Sequence, residues 1–302
     1  MLCVLYVTIV GACLGIVGLL LESMLPATVP RRWLWCLIIP VSMFLPGYYR
    51  IHHNASVSAM IHDHARMGGM SSMGFLDWWA RSDVYNSAIN RGWEIASLLL
   101  IGLGVTNAMR VAYILYSARR NQRRLDVPQT VDGVPVLLTE SLGPATAGLI
   151  RPRVVLPHWV LALPGAQRKY VVRHEEEHRR AHDVHLLLLY SFFIILAPWN
   201  LALWWQLRRL RLAVEMDCDN RVVRALGDAH SYGALLLNVA QASSRGPRLQ
   251  PALLGGMKSL EHRLTMLLAP KTLSRVQHAA LTGLVCALLI LVLTMPHPIT
   301  GR

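Results

Sequence analysis

Four stretches of the chain run apolar for about the length a membrane crossing needs. Leu2 to Leu21 is twenty residues without a charge, enough to span about 30 Å of hydrocarbon as a helix. Trp33 to Tyr49 is a second stretch, interrupted by Pro40 and Pro46. Ile95 to Tyr116 is a third, with Arg110 near one end, from where its side chain can snorkel to the interface. Ala279 to Met295 is a fourth. No basic stretch precedes the first and no clear small-residue cleavage site follows it, so it reads as an anchor rather than a signal peptide. A fifth apolar stretch, Val184 to Gln206, is divided by Pro198, with Asn200 close by. That division predicts two short helices that turn back, buried in the domain or dipping into the leaflet, rather than a crossing.

Between the third and fourth stretches the periodicity changes. Val134 to Leu138 and Ala147 to Leu156 are short β-branched runs separated by a Gly-Pro pair, which predicts a hairpin. From about Ala166 the pattern is helical. Arg208 to Leu226 is a second helical stretch, Tyr232 to Ala242 and Ser259 to Leu268 are weaker ones, and Ser243 to Pro251 reads as a polar loop. The expected fold is a polytopic α-helical membrane protein of about four transmembrane helices, with a mostly α domain carrying a small β-hairpin or sheet. Residues 1–117 form the N-terminal membrane domain, including a loop over 50–93. Residues 118–278 form the domain that holds the apolar hairpin 184–206, and 279–302 the last helix and tail.

Composition agrees with a membrane protein. The chain has 302 residues, 54% hydrophobic and 16% charged, with a mean hydropathy of +0.38. Lys and Arg then assign the sides. Arg119, Arg120, Arg123 and Arg124 follow the third stretch, and Arg31 and Arg32 lie between the first two. Both groups face the cytoplasm if the amino terminus is outside, which makes the 50–93 loop external and the 118–278 domain cytoplasmic. That domain holds 22 of the 30 basic and 12 of the 17 acidic residues, a net of +10 suited to an anionic leaflet. No nucleic-acid module accompanies the charge, so direct nucleic-acid binding is not expected. Cys3, Cys13, Cys36 and Cys286 lie in apolar stretches as small hydrophobes, and nothing implies disulfides.

The candidate chemistry sits in "RHEEEHRRAHD", residues 173–183. On a helix, His174 and His178 share a face and can bind one tetrahedral metal, while Glu175 projects beside them within reach of water. The alternative is a solvated charged face. A peptidase zinc site needs a third ligand and one open position. The next helical stretch offers "AVEMDCDNRVV", in which Glu215 and Asp219 are four apart. Glu215 could reach the metal and Asp219 orient a histidine through its ring N–H. The alternative there is a cluster of acids at a helix start.

These motifs together resemble the BlaR/MecR-type antirepressor metallopeptidases. The resemblance rests on "HEEEHRRAHD", the Pro-interrupted apolar hairpin and "RLAVEMDCDNRVV". It extends upstream to "AGLIRPRVVLP" and downstream to "YGALLLNVA" and "LEHRLTMLL". It implies a bacterial inner-membrane, multi-pass protein with a cytoplasmic, zincin-like peptidase domain. It also implies one Zn2+ per chain held by His174, His178 and Glu215, with Glu175 as general base on zinc-bound water. Asp183 and Asp219 match the acids that close the two motifs and act behind the ligands. Cys218 falls where the family often has cysteine, and is expected to pack rather than ligate. Glu176 and Glu177, often more apolar in the family, are expected to be solvated bystanders. The family's β-lactam receptors carry a penicillin-binding sensor domain after the last span. Here "PHPITGR" follows it, so the resemblance implies the peptidase and not an antibiotic sensor.

The implied substrate is a cytoplasmic protein, a winged-helix transcriptional repressor or the chain itself, with the bilayer and a second copy as further partners. Tyr232 and His230 are candidate oxyanion donors, with ordinary packing as their alternative. The 50–93 loop adds a separate candidate. His52, His53, His62, His64, Met60, Met67, Met70 and Met73 are the kinds of ligand that suit copper. Two other functions therefore stay open: a metal-sensing membrane protein working through that loop, and a catalytically idle receptor.

Overall fold

The computed structural model describes residues 2–26, 28–64, 129–139, 143–148, 152–244, 257–269 and 273–294, with scattered positions between 95 and 109. Helices α1 (Leu2–Met24) and α2 (Arg32–His64) come first, followed by strands β1 (Gln129–Val131), β2 (Val134–Thr139), β3 (Ala145–Ala147) and β4 (Arg153–Pro157). Then come α3 (His158–Leu161), α4 (Gly165–Arg180), α5 (Asp183–Leu196), α6 (Leu201–Leu226), α7 (Ala229–Ser244), α8 (Met257–Leu268) and α9 (Arg275–Thr294). Among the described residues, two helical segments are long and apolar enough to cross a membrane, Leu5–Met24 and Arg275–Thr294. The second apolar stretch lies within α2, which keeps Pro40 and Pro46 inside one helix and continues to His64. The side chains of His52, His53, Met60, His62 and His64, and all of Met67, Met70 and Met73, lie outside the described residues.

Val184 to Gln206 does turn back. Helix α5 ends at Leu196, and Asn200 caps α6 by accepting from the Ala202 N–H at 3.1 Å. The returning hairpin packs against α1 and α2 in one apolar core containing Val10, Trp35, Ile39, Ile194, Leu203 and Leu210. Glycines let α1 approach closely: a Cβ on Gly15 would collide with the Trp205 ring. Polar groups inside this layer find partners across helices, Tyr190 donating to the Cys36 carbonyl at 2.7 Å and Gln206 to the Gly11 carbonyl at 2.7 Å. Outward, Leu37, Phe44, Phe192, Leu201, Val276 and Ile290 stay exposed. Together with the two long apolar helices, this belt marks a membrane protein.

The second core belongs to the sheet, ordered β1-β2-β4-β3. Here the hairpin expectation is corrected, because β2 and β4 pair in parallel, Val136 opposite Val154. A strand buried on both faces reads as a continuous apolar run, and Val154, Val155 and Leu156 are all buried. The tight hairpin is β1–β2, turning at Asp132 (φ 49°) and Gly133 (φ 81°), where both residues take the left-handed conformation that a two-residue turn requires. Sheet residues Val136, Val154 and Leu156 pack with Tyr170 and Val172 of α4, Cys218 and Val222 of α6, and Tyr232 of α7. Helix α6 therefore serves both cores. At 26 residues it is about 39 Å long. Its first half lies in the membrane bundle and its second half carries "VEMDCD".

A candidate metal centre

Helix α4 positions both imidazoles because residues four apart share a face. The ring nitrogens meet, His174 Nε2 lying 3.2 Å from His178 Nε2. Glu215 arrives from α6, with its carboxylate oxygens 3.6 Å from His174 Nε2 and 3.7 Å from His178 Nε2. Donor atoms on a tetrahedral ion with bonds of 2.0–2.1 Å are about 3.3 Å apart, so these three edges are close to the size of one metal. Cys218 also belongs to the cluster. The ligand atoms of His174, His178 and Cys218 lie within 4.8 Å of one another and could hold a metal ion. The donor chemistry thus fits a zinc-type ion.

Hydrogen bonding decides which nitrogens are free. A carboxylate only accepts, so His178 Nδ1 donates to Asp183 Oδ2 at 2.8 Å, and in the neutral ring that leaves Nε2 with its lone pair. Tyr232 spends its one proton on Asp219 Oδ1 at 2.8 Å and therefore accepts from His174 Nδ1, also at 2.8 Å. Both histidines then present Nε2 toward Glu215. Cys218 lies against both rings: its thiol donates to the His174 carbonyl at 3.3 Å, its sulfur lies 3.4 Å from His174 Nδ1, and it also meets the His178 side chain. The packing role expected for Cys218 must be widened, since it touches a candidate ligand directly.

Asp183 reaches back to His178 because the chain reverses at His182 (φ 56°), a left-handed residue between α4 and α5. Asp219 is clamped by Arg263 of α8 through two bonds of 2.7 Å, and Arg263 also lies 3.0 Å from Glu215. Arg263 was not singled out from sequence. The available signal was a lone cation on the otherwise apolar side of "LEHRLTMLL". Tyr232 is buried and engaged with Asp219 and His174, so its hydroxyl braces a histidine, while His230 is exposed.

Glu175 is buried beside the imidazoles, and the Thr146 hydroxyl on β3 donates to its backbone carbonyl at 2.7 Å and approaches its carboxylate at 3.4 Å. Burial raises the Glu175 pKa against the pull of both imidazoles. Glu215, partly open to solvent, goes the other way. Arg263 and the imidazoles overcome the desolvation cost and hold its carboxyl well below the usual range. For His174, burial works downward, but Cys218 and Glu215 outweigh it and push the pKa up to about 10.

Glu176 and Glu177 are not solvated bystanders. Both are buried, Glu176 held by Arg179 and Arg180, and Glu177 by Arg173 and by Arg221 of α6. Charged side chains can be buried there because each carboxylate is matched by guanidinium groups that remain partly open to solvent. The run that reads as a charged face is thus the junction between α4 and α6.

Comparison with known proteins gives one family. The model of the family described as BlaR1 peptidase M56 matches residues 2–267. No curated protein matches the chain.

Proposed function

The chain belongs to the BlaR1 peptidase M56 family of membrane metallopeptidases, and from that premise we propose that it is a zinc-dependent endopeptidase in a signalling system. Its substrate is a cytoplasmic protein, a winged-helix transcriptional repressor or the chain itself. The observation that carries this reading is the convergence of His174 Nε2, His178 Nε2 and the Glu215 carboxylate beside a buried Glu175. His174, His178 and Glu215 hold one Zn2+. Cys218, the competing donor, faces Nδ1 of His174 and gives its proton to a carbonyl, so we assign it behind the ligands. Asp183 and Asp219, the latter through Tyr232, hold the two rings in place.

Zinc at this site supplies Lewis acidity that polarises a peptide carbonyl and acidifies water. Glu175 takes the proton of the attacking water and passes it to the departing amine. Burial raises its pKa, which favours return of the proton to the amine. Strand β3 lies at one edge of the described sheet, with Thr146 against Glu175. A substrate segment added to that edge as a further strand runs past the general base. We place the protein in the bacterial inner membrane with four spans and the peptidase domain in the cytoplasm. The described chain supports one part of that topology: the α1–α2 turn and the sheet domain share one side, since Arg31 and Arg32 donate their N–H groups to Asp217 of α6.

The test compares wild type with Glu175→Gln for zinc content and for cleavage of a co-expressed repressor and of the chain itself. Retained zinc with cleavage lowered by about 10²-fold or more supports the reading. Equal cleavage by both proteins removes it.

A further inference from the structure

Asp183 opens α5, and its buried carboxylate gathers donors from three directions. His178 Nδ1 reaches Oδ2 at 2.8 Å, Arg221 of α6 reaches the same oxygen at 3.3 Å, and Arg32 Nη1 takes Oδ1 at 2.7 Å. His178 and Arg221 lie on the two helices that carry the metal donors. Arg32 does not: it is the first residue of α2, a helix of the membrane bundle. Its guanidinium also lies over the Trp33 ring, 5.2 Å from the centroid, and Trp33 is 55% exposed on the rim of the apolar belt, where interfacial tryptophans anchor.

A second fastening lies alongside. Asp217 accepts the backbone N–H groups of Arg31 and Arg32 at 2.9 and 3.0 Å, capping the amino end of α2 from α6. Asp217 is two residues from both Glu215 and Asp219. The start of a membrane helix is therefore tied to α6 through its backbone and, through the Arg32 side chain, to Asp183 of α5, which in turn holds His178 of α4.

We propose that Arg32 is a positioning residue for the metal centre, fixing the Asp183 carboxylate that sets the tautomer and angle of His178. The inference rests on the peptidase reading and adds a regulatory element to it, since a displacement of α2 in the bilayer is delivered to His178 through two contacts. Without Arg32, Oδ1 of Asp183 loses this partner, and the carboxylate can turn about the contacts its Oδ2 keeps with His178 and Arg221. His178 then keeps its place on α4 but loses its fixed orientation.

The experiment uses the full chain in detergent or bilayer discs and measures zinc affinity by chelator competition, with kcat and KM for cleavage. Asp183→Asn should weaken zinc binding about 10–100-fold, as loss of a partner behind a metal-bound histidine does. Arg32→Ala should weaken it by about tenfold and lower kcat with KM unchanged, and Arg32→Lys should recover most of the loss. In the double variant Arg32→Ala/Asp183→Asn, the loss should equal that of Asp183→Asn alone. Wild-type zinc affinity in Arg32→Ala, or a loss that adds in full to that of Asp183→Asn, overturns the proposal. Should Arg32→Ala not fold, Arg32→Met keeps the apolar stem and no donor, with about a tenfold loss expected and no loss overturning. His178→Ala separates the two levels. If it holds zinc like wild type, the peptidase reading falls and takes this inference with it. If it loses zinc while Arg32 variants do not, only the inference falls.

Discussion

Cys218 and Glu215 lie on one helix, three residues apart, yet they meet opposite nitrogens of His174. The sulfur is 3.4 Å from Nδ1 and the carboxylate 3.6 Å from Nε2. Because Nδ1 also bonds the Tyr232 hydroxyl, His174 can offer a metal only its Nε2 side, where Glu215 waits.

The first prediction separates the two donors. Glu215→Gln should lower zinc affinity by at least about 10²-fold, and His174→Ala or His178→Ala should do the same, because each removes a direct donor. Cys218→Ser should keep affinity within about threefold, since a hydroxyl can also donate to the His174 carbonyl. Chelator competition on each variant reads this. A Cys218→Ser protein that releases zinc as Glu215→Gln does would exchange their roles.

The second concerns pH. Burial raises the Glu175 pKa above its ordinary 4.5, with the Glu215 charge adding to that shift and the imidazoles and Thr146 opposing it. In the proposed mechanism Glu175 works deprotonated, so kcat/KM should fall on the acid side with a midpoint above 4.5. Thr146→Val removes a donor that favours the charged form and should move that midpoint upward. The sign for stability is opposite to the usual carboxylate. The protonated form is favoured by folding, a contribution present below the unfolded value and lost as pH rises through the folded one. Glu175→Gln should therefore unfold at neutral pH no more easily than wild type. A thermal scan of both metal-free proteins checks it.

Much of the site was legible because helical spacing is local. His174, Glu175 and His178 follow from one turn of α4, and Glu215 and Asp219 from one turn of α6. The return of the apolar hairpin was legible from Pro198 and Asn200, which stop one helix and cap the next. Burial of Glu176 and Glu177 was not, because the arginine that ties Glu177 to α6, Arg221, is forty-four residues away. The parallel pairing of β2 and β4 was equally hidden, since strand order is a long-range outcome. The Asp132-Gly133 turn was readable, because an Asp-Gly pair flanked by apolar positions is the strongest short-range hairpin signal. Arg32 reads as a topology signal in the sequence, and only the fold puts it 2.7 Å from Asp183.

The third prediction concerns Arg263. Its two bonds of 2.7 Å neutralise the buried Asp219, which in turn holds Tyr232 against His174. Arg263→Met leaves that carboxylate buried without its cation, a change that typically costs about 3–5 kcal/mol. Arg263→Lys keeps charge but not the planar fork, and should lie between. The double variant Arg263→Met/Asp219→Leu should recover part of the stability while still losing zinc affinity, because Tyr232 is no longer held. Unfolding of the chelated proteins in one detergent measures the first effect, and chelator competition the second.

The last prediction tests whether the membrane packing of α6 reaches the metal. Gly11 and Gly15 lie one turn apart on α1, facing α6. A Cβ on Gly11 would sit 3.1 Å from the Ala202 Cβ, and one on Gly15 would collide with the Trp205 ring. That ring cannot simply swing away, because it packs against the bundle core edge-on to the buried Trp35, 6.1 Å between centroids. Gly15→Ala should therefore overpack the contact and cost about 1–3 kcal/mol, with Gly15→Leu worse. Gly47→Ala meets open space and should stay within about 0.5 kcal/mol of wild type. Helix α6 runs without interruption from Trp205 to Glu215, so a shift at the tryptophan is carried ten residues along to the carboxylate. Zinc affinity should then fall in Gly15→Ala although no donor has changed, and should not fall in Gly47→Ala. If Gly15→Ala loses stability but binds zinc as wild type does, the two halves of α6 are mechanically independent. The route from the bundle to the metal through α2 and Arg32 would then remain.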